Sequence, residues 1–303
     1  MVLEIDEMVS QLGSRKCYEM LRLSRNKPME SSSLMLAEKK VAAAAGKDEY
    51  SFLRKEALIY FRKLELILQG CCAKLPTRNR FNESASALLP EKFNMADATG
   101  ENLKCSFTLV GDNVAKAEIT VRHAKLPSHF YRAVVQPDIQ WKLQQVQDLG
   151  NFVLLALEML RLGMLTIQKT IDEGVSVEKL LWVTKSIQDY LYAARDAFVY
   201  APKKGAFAHV HEERLKKCFV PLPPADLTFN LYISSSKLNF NVIYSPAQPN
   251  EKDSVQVYEC ECHVPWFADL IYMVTSAIQL TQLFHDKVSI LVVCKNGMRS
   301  SCR

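Results

Sequence analysis

Apolar and polar positions along the chain follow two rhythms. Leu53, Ala57, Tyr60, Leu64, Ile67 and Cys71 recur in steps of four and three, which sets them on one face of a helix over residues 47–75. Gly70 marks its fraying end and Pro76 stops it. From residue 103 the period changes to two. Leu103, Cys105, Phe107 and Leu109 alternate with Lys104, Ser106 and Thr108, and Ala117, Ile119 and Val121 alternate with polar neighbours. Gly111-Asp112-Asn113 lies between these runs, so they predict a two-faced β-hairpin, to which HFYRAVV adds a third strand. The helical rhythm then returns over its longest course. Ile139, Leu143, Val146, Gly150, Val153, Leu157, Leu160, Met164, Ile167 and Ile171 form an unbroken heptad-like stripe. Gly150 would let a neighbouring backbone come close. Gly174 ends the helix, and Ser176 can cap the next, whose face is Leu180, Ile187, Leu191, Ala194 and Phe198. Alternation resumes at Leu227–Ile233, at Leu238–Tyr244 and in VQVYECECHV. A last helix starts at Pro265 and is lined by Phe267, Leu270, Ile271, Val274, Ile278 and Phe284.

The order is helix, three strands, two helices, three strands, helix. Strands and helices do not alternate singly, which argues against a doubly wound sheet and for an α+β class. The expected architecture is an antiparallel helical bundle of four long helices plus a separate β-domain built from two groups of three strands. Residues 47–75, 138–200 and 265–289 would form the bundle, and 103–135 with 226–264 the β-domain. Residues 1–46 lack a sustained apolar face and read as a flexible extension. Residues 201–225 are a Pro- and Lys-rich connector with one turn of helix near His211–Lys217, and 290–303 form an atypical tail.

Composition narrows the picture modestly. With 303 residues, 49% hydrophobic and 23% charged, the chain is ordinary globular material with ample surface to bury. A formal net charge of +5 falls short of the clustered charge of a dedicated nucleic-acid binder. HFYRAVVQPD, ahead of the long stripe, is not the basic helix that a DNA-binding zipper needs. The run from Phe152 to Leu165 is broken by Glu158 and Arg161, so no transmembrane insertion is expected. MVLEIDEMVS carries acids where an export signal places lysine or arginine. Nine scattered cysteines without export signals read as reduced cytosolic thiols.

Candidate chemistry is sparse. Cys260-Glu261-Cys262-His263 offers metal-ligating types, but on a strand His263 faces away from both cysteines, and no second pair stands at zinc spacing. Buried structural thiols are the expected reading. His209-Val210-His211-Glu212-Glu213 reads as solvated connector, and Lys203-Lys204 and Lys216-Lys217 as solubilising clusters, short of the basic runs that anionic membranes recruit. GxxxxGK[ST], GxGxxG and GxSxG do not occur. No catalytic, cofactor-binding or metal residue is therefore nominated. The stripe over 139–171 is assigned to an internal bundle, with homodimerisation as the alternative.

Several uncommon runs go further. Gln140-Trp141-Lys142-Leu143-Gln144-Gln145-Val146-Gln147-Asp148 resembles a signature of the Rogdi family. So, in family order, do Leu222-Pro223-Pro224-Ala225-Asp226-Leu227, Asn230-Leu231-Tyr232-Ile233, Lys237-Leu238, Val264-Pro265-Trp266, Gln279-Leu280, Gln282-Leu283 and Asp286-Lys287-Val288-Ser289. The resemblance covers roughly residues 47–291. It implies a helical bundle joined to a β-domain, and a non-catalytic adaptor without cofactor. It also implies partners: a large β-propeller scaffold of the rabconnectin type and subunits of the vacuolar-type proton ATPase, whose assembly the related RAVE complex promotes. The implied location is cytoplasmic, recruited to endomembranes or synaptic vesicles, with the nuclear envelope a further place. The chain departs from the family over residues 1–46 and after Ile290, where LVVCKNGMRSSCR replaces an aromatic, hydrophobic tail.

Overall fold

Helix α1 (Ser31–Lys74) begins well before the apolar face at Leu53. Lys39-Lys40 and Ala42–Ala45 are strong helix formers that continue the backbone without giving it a side. The computed structural model describes residues 31–75, 89–136, 141–169, 177–201, 216–246 and 255–300. Residues 1–52 and 53–303 form two compact units. Of the first, the start of α1 is described. The packing that follows belongs to the second.

The class is α+β: the described residues include four long or medium helices and two antiparallel sheets of six and three strands. The first sheet contains β1 (Glu91–Ala96), β2 (Leu103–Val110), β3 (Asn113–Arg122), β4 (Phe130–Val135), β5 (Trp141–Lys142) and β6 (Phe219–Val220). Its order is β1-β2-β3-β4-β6, with β5 on the turn end of β3. The second sheet is β7 (Leu227–Ser234), β8 (Lys237–Tyr244) and β9 (Gln256–His263), in that order.

Two groups of three strands are thus corrected to six and three. The additional strands are β1, β5 and β6. Glu91–Ala96 sits in a polar stretch where only Phe93 and Met95 carry the alternation, while β5 and β6 are two residues each and too short to show a period. The unbroken helix expected from Ile139 is corrected as well. Trp141-Lys142 is strand, and helix α2 (Gln144–Lys169) starts after it. Burial of the indole in the sheet core overrides the helical spacing.

The sheets face one another through aromatic side chains. Phe107 meets Phe240 edge-on with ring centres 5.2 Å apart, Phe219 meets Phe229 at 5.1 Å, and Tyr131 stacks on Phe229 at 6.0 Å. Such pairs add to the burial of the rings themselves. At the margin, His123 is buried against the Tyr244 ring, with Nδ1 2.8 Å from the Tyr258 hydroxyl. That hydroxyl donates to Gln256 Oε1, so it accepts from Nδ1–H and His123 Nε2 is left without a partner. Burial, with Lys125 adding, holds the imidazole pKa below its ordinary value.

Helix α3 (Val177–Val199) and helix α4 (Pro265–Ser300) complete the second unit; the α4 backbone continues past Ile290 to Ser300. Neighbouring helices run antiparallel, as the paired contacts show. On α1, Glu65 takes the Arg161 guanidinium of α2 at 3.2 Å, Phe61 lies edge-on to Phe284 of α4, and Lys74 reaches Asp269 at 2.7 Å. Phe198 of α3 meets Phe267 of α4 at 5.1 Å, and Gln188 donates to Gln282 further along. A close approach occurs at Gly163. A Cβ there would stand 2.8 Å from Val183 Cγ1 and 3.1 Å from Phe61 Cε2. Ile139, Ile171, Gly174, Ser176, His209 and His211 lie outside the described residues.

Candidate interaction surface

The run Trp141–Asp148 binds the sheets to the helices. Trp141 is buried edge-on between Phe107 at 5.9 Å and Phe219 at 5.6 Å. The β2–β3 turn hooks the next residues: Leu143 N–H donates to Asp112 O at 2.7 Å, and Gln147 Nε2 donates to Asp112 Oδ2 at 2.8 Å. Lys142 lies 3.6 Å from the same carboxylate. Gln145 works on the other sheet. Its Oε1 accepts from Ile233 N–H at 2.6 Å, and its Nε2 donates to Ile233 O at 2.7 Å and to Ala197 O at 2.6 Å. The side-chain amide therefore stands in for a neighbouring strand on the outer edge of β7, and ties it to the last turn of α3. An open sheet edge needs such partners for its backbone groups. The polar residues of this run hold the junction together, and its tryptophan is a core residue rather than a surface anchor.

The thiols are placed against reactivity. Cys260 is buried on the inner face of β9 with its Sγ 3.3 Å from that of Cys105, while His263 is exposed and Glu261 pairs with Lys237. Contact with Cys260, and then burial, raises the Cys105 thiol pKa well above its ordinary value. Burial pushes Cys71 up to about 12, with the neighbouring Cys72 adding, and Cys262 up to about 11, with Cys260 and Glu261 adding. A suppressed thiolate is a poor nucleophile and a poor metal ligand. Among the described residues no three His, Cys, Asp or Glu side chains gather as a metal-holding group.

Solvent-facing residues provide the remaining candidates. Leu155, Leu162 and Leu165 are exposed on α2, Trp182 on α3, Leu66 on α1, and Tyr272 and Leu283 on α4. On the six-stranded sheet, Phe130, Val134 and Val220 are exposed on the side away from β7–β9. The stripe on α2 is the opposite case. Val146, Val153, Leu157, Leu160 and Ile167 are buried, so the helix spends its heptad face inside the chain. By length and composition, Gln144–Gln168 and Pro265–Ile290 could each cross a bilayer. In the structure, residues of both helices also contribute to the hydrophobic core.

The family model described as Rogdi leucine zipper containing protein matches residues 52–288. The chain belongs to the Rogdi family. It is 28% identical to protein rogdi of Drosophila melanogaster over 254 residues, 82% of this chain and 90% of the fly protein. The Caenorhabditis elegans rogdi homolog is 28% identical over 235 residues, 71% of this chain and 78% of the worm protein. The Homo sapiens rogdi homolog is 28% identical over 228 residues, 66% of this chain and 76% of the human protein.

The Rogdi match runs from α1, one residue ahead of Leu53, to Val288, a buried residue of α4. It thus spans both sheets and every helix pair described above.

Proposed function

We propose that this Rogdi family chain is a non-catalytic adaptor. It would join a large β-propeller scaffold of the rabconnectin type to subunits of the vacuolar-type proton ATPase, promote assembly of that pump, and so support acidification of organelles or vesicles. The observation that carries this reading is the family match over residues 52–288. The mechanism is presentation of a rigid surface, with no bond chemistry. The four helices would act as one antiparallel bundle and the two sheets as one β-domain. The clamp at Gln145 and Asp112 supports that rigidity by fixing helix starts to sheet edges. The chain would work in the cytoplasm, recruited to endomembranes or synaptic vesicles, or at the nuclear envelope.

Affinity capture of the full chain from cells, with mass spectrometry of the co-purified proteins, tests the proposal. Recovery of a rabconnectin-type scaffold together with proton-pump subunits, above a capture of the Leu157→Asp, Leu160→Asp chain, which two charges in the buried stripe unfold, is the expected result. A folded chain that recovers neither sinks the adaptor reading.

A further inference from the structure

The solvent-facing side of the six-stranded sheet is laid out in registered rows. One row runs Asn94, Ser106, Glu118, Val134, Val220 across five strands, and the next runs Ala96, Lys104, Thr120, Arg132. Lys92, Thr108 and Lys116 flank them on one side, and Arg122 opposite Phe130 on the other. Alternation places all of these on one face, because the intervening Met95, Cys105, Phe107, Ile119 and Val121 are buried inward. Every residue of the rows is exposed or half-buried.

This face has shape, charge and an apolar end. A shallow groove of about 390 Å³ opens over Ala96, Ser106 and Thr120, whose small side chains let another backbone come close; Lys104 and Glu118 form its walls. Lys92, Lys104, Lys116, Arg122 and Arg132 are exposed here against one carboxylate among the described residues of the face, Glu118, and that one is bound by Arg132. In the turn beside Arg122, Asp97 spends its carboxylate on Thr99 and the Leu103 N–H, while Glu101 stands exposed. Beyond the groove, Phe130, Val134 and Val220 make an exposed apolar strip.

We propose that this face docks an extended acidic segment of a partner protein, with carboxylates set against the lysines and Arg122 and apolar side chains on Phe130, Val134 and Val220. An apolar centre with a charged rim is the anatomy of a protein interface. Charge complementarity selects the acidic partner. Single-stranded nucleic acid fits less well, since it is gripped by aromatic planes and Phe130 is the one aromatic ring among the described residues of the face. A bilayer fits less well too, because a flat headgroup plane does not enter a groove. The inference deepens the adaptor reading and rests on it for the partner's being a protein.

Four strand spacings make the face about 20 Å wide, the span of about six extended residues. The test uses the full chain and a fluorescein-labelled peptide of about ten residues in which every second position is glutamate in one half and leucine in the other, with serine between, read by fluorescence anisotropy. Saturable binding that weakens as salt rises is expected, because exposed charges are screened. The double variant Lys104→Glu, Lys116→Glu should bind about tenfold more weakly. Lys55→Glu, Arg62→Glu, the same charge change on the exposed side of α1, should bind as the unaltered chain does. Val134→Thr, which leaves the charge alone, should weaken binding about threefold. Equal loss in both double variants, absence of saturable binding, or tighter binding of an oligo-dT strand or of phosphatidylserine vesicles would overturn the proposal. Failure of the adaptor reading registers in the capture experiment and moves none of these arms.

Discussion

Gln145 offers the sharpest test of how the fold is held. Truncation to Ala removes three short hydrogen bonds at once, those to Ile233 N–H, Ile233 O and Ala197 O, together with a long one to Tyr200 O at 3.4 Å that adds little. A typical bond contributes about 0.5–1.5 kcal/mol net, so the sum is about 1.5–4.5 kcal/mol. Gln145 is half-buried, so water can reach part of the vacated space, which brings the expected cost to about 2–3 kcal/mol. Gln145→Glu should cost more at neutral pH. It keeps the acceptor for Ile233 N–H but sets a carboxylate against two carbonyl oxygens. The sign of its pH dependence follows from the same contacts. Carbonyls raise the folded-state pKa of the new carboxyl above its unfolded value of about 4.3, so the penalty is full above the folded pKa and shrinks as pH falls toward the unfolded one. The assay is urea unfolding followed by circular dichroism, comparing midpoints at unchanged slope, with thermal midpoints expected about 5–10 °C lower for Gln145→Ala. If Gln145→Ala stays within about 0.5 kcal/mol of the unaltered chain, or Gln145→Glu is no worse than Ala at pH 7, the account of Gln145 as a substitute strand is wrong.

Three further outcomes are expected. His123, buried with a depressed pKa, contributes stability that is present above its unfolded pKa of about 6.5 and is lost as pH falls through the folded value; His123→Phe should flatten that part of a stability profile, and an unchanged slope would refute it. Leu157→Asp with Leu160→Asp places two charges in a buried stripe, so the product should be an unfolding monomer by light scattering and circular dichroism, whereas a folded dimer that dissociates would favour the homodimer. Cys71 and Cys105 should resist iodoacetamide at pH 8 until the chain is unfolded, and rapid native labelling would contradict their raised pKa values.

Periodicity by itself determined the elements that bury one full face. The alternation at Leu103–Leu109 and Ala117–Val121, and the four-three steps of α2, α3 and α4, are signals of which side chains leave water, and local spacing carries that information completely. The Trp141–Asp148 wording, read for its residues, pointed to a family; read for its spacing, it pointed only to helix. Tertiary structure alone decided the rest. Trp141 leaves the helical pattern because Phe107 and Phe219, distant in sequence, offer its ring a dry site. β6 is strand because Val134 and Val135 stand beside it, with only two residues to signal it. Gly163 takes a close contact because Phe61 and Val183 arrive there from α1 and α3. Gln145 is half exposed and polar, so nothing in its neighbours marks it as structural; its role exists only where the edge of β7 and the end of α3 meet its amide. The cationic sheet face has the same origin. Lys92, Lys104, Lys116 and Arg122 are scattered along the chain, and the register of three antiparallel strands makes them neighbours. Local burial is written in spacing, whereas convergence of distant residues is a property of the packed chain.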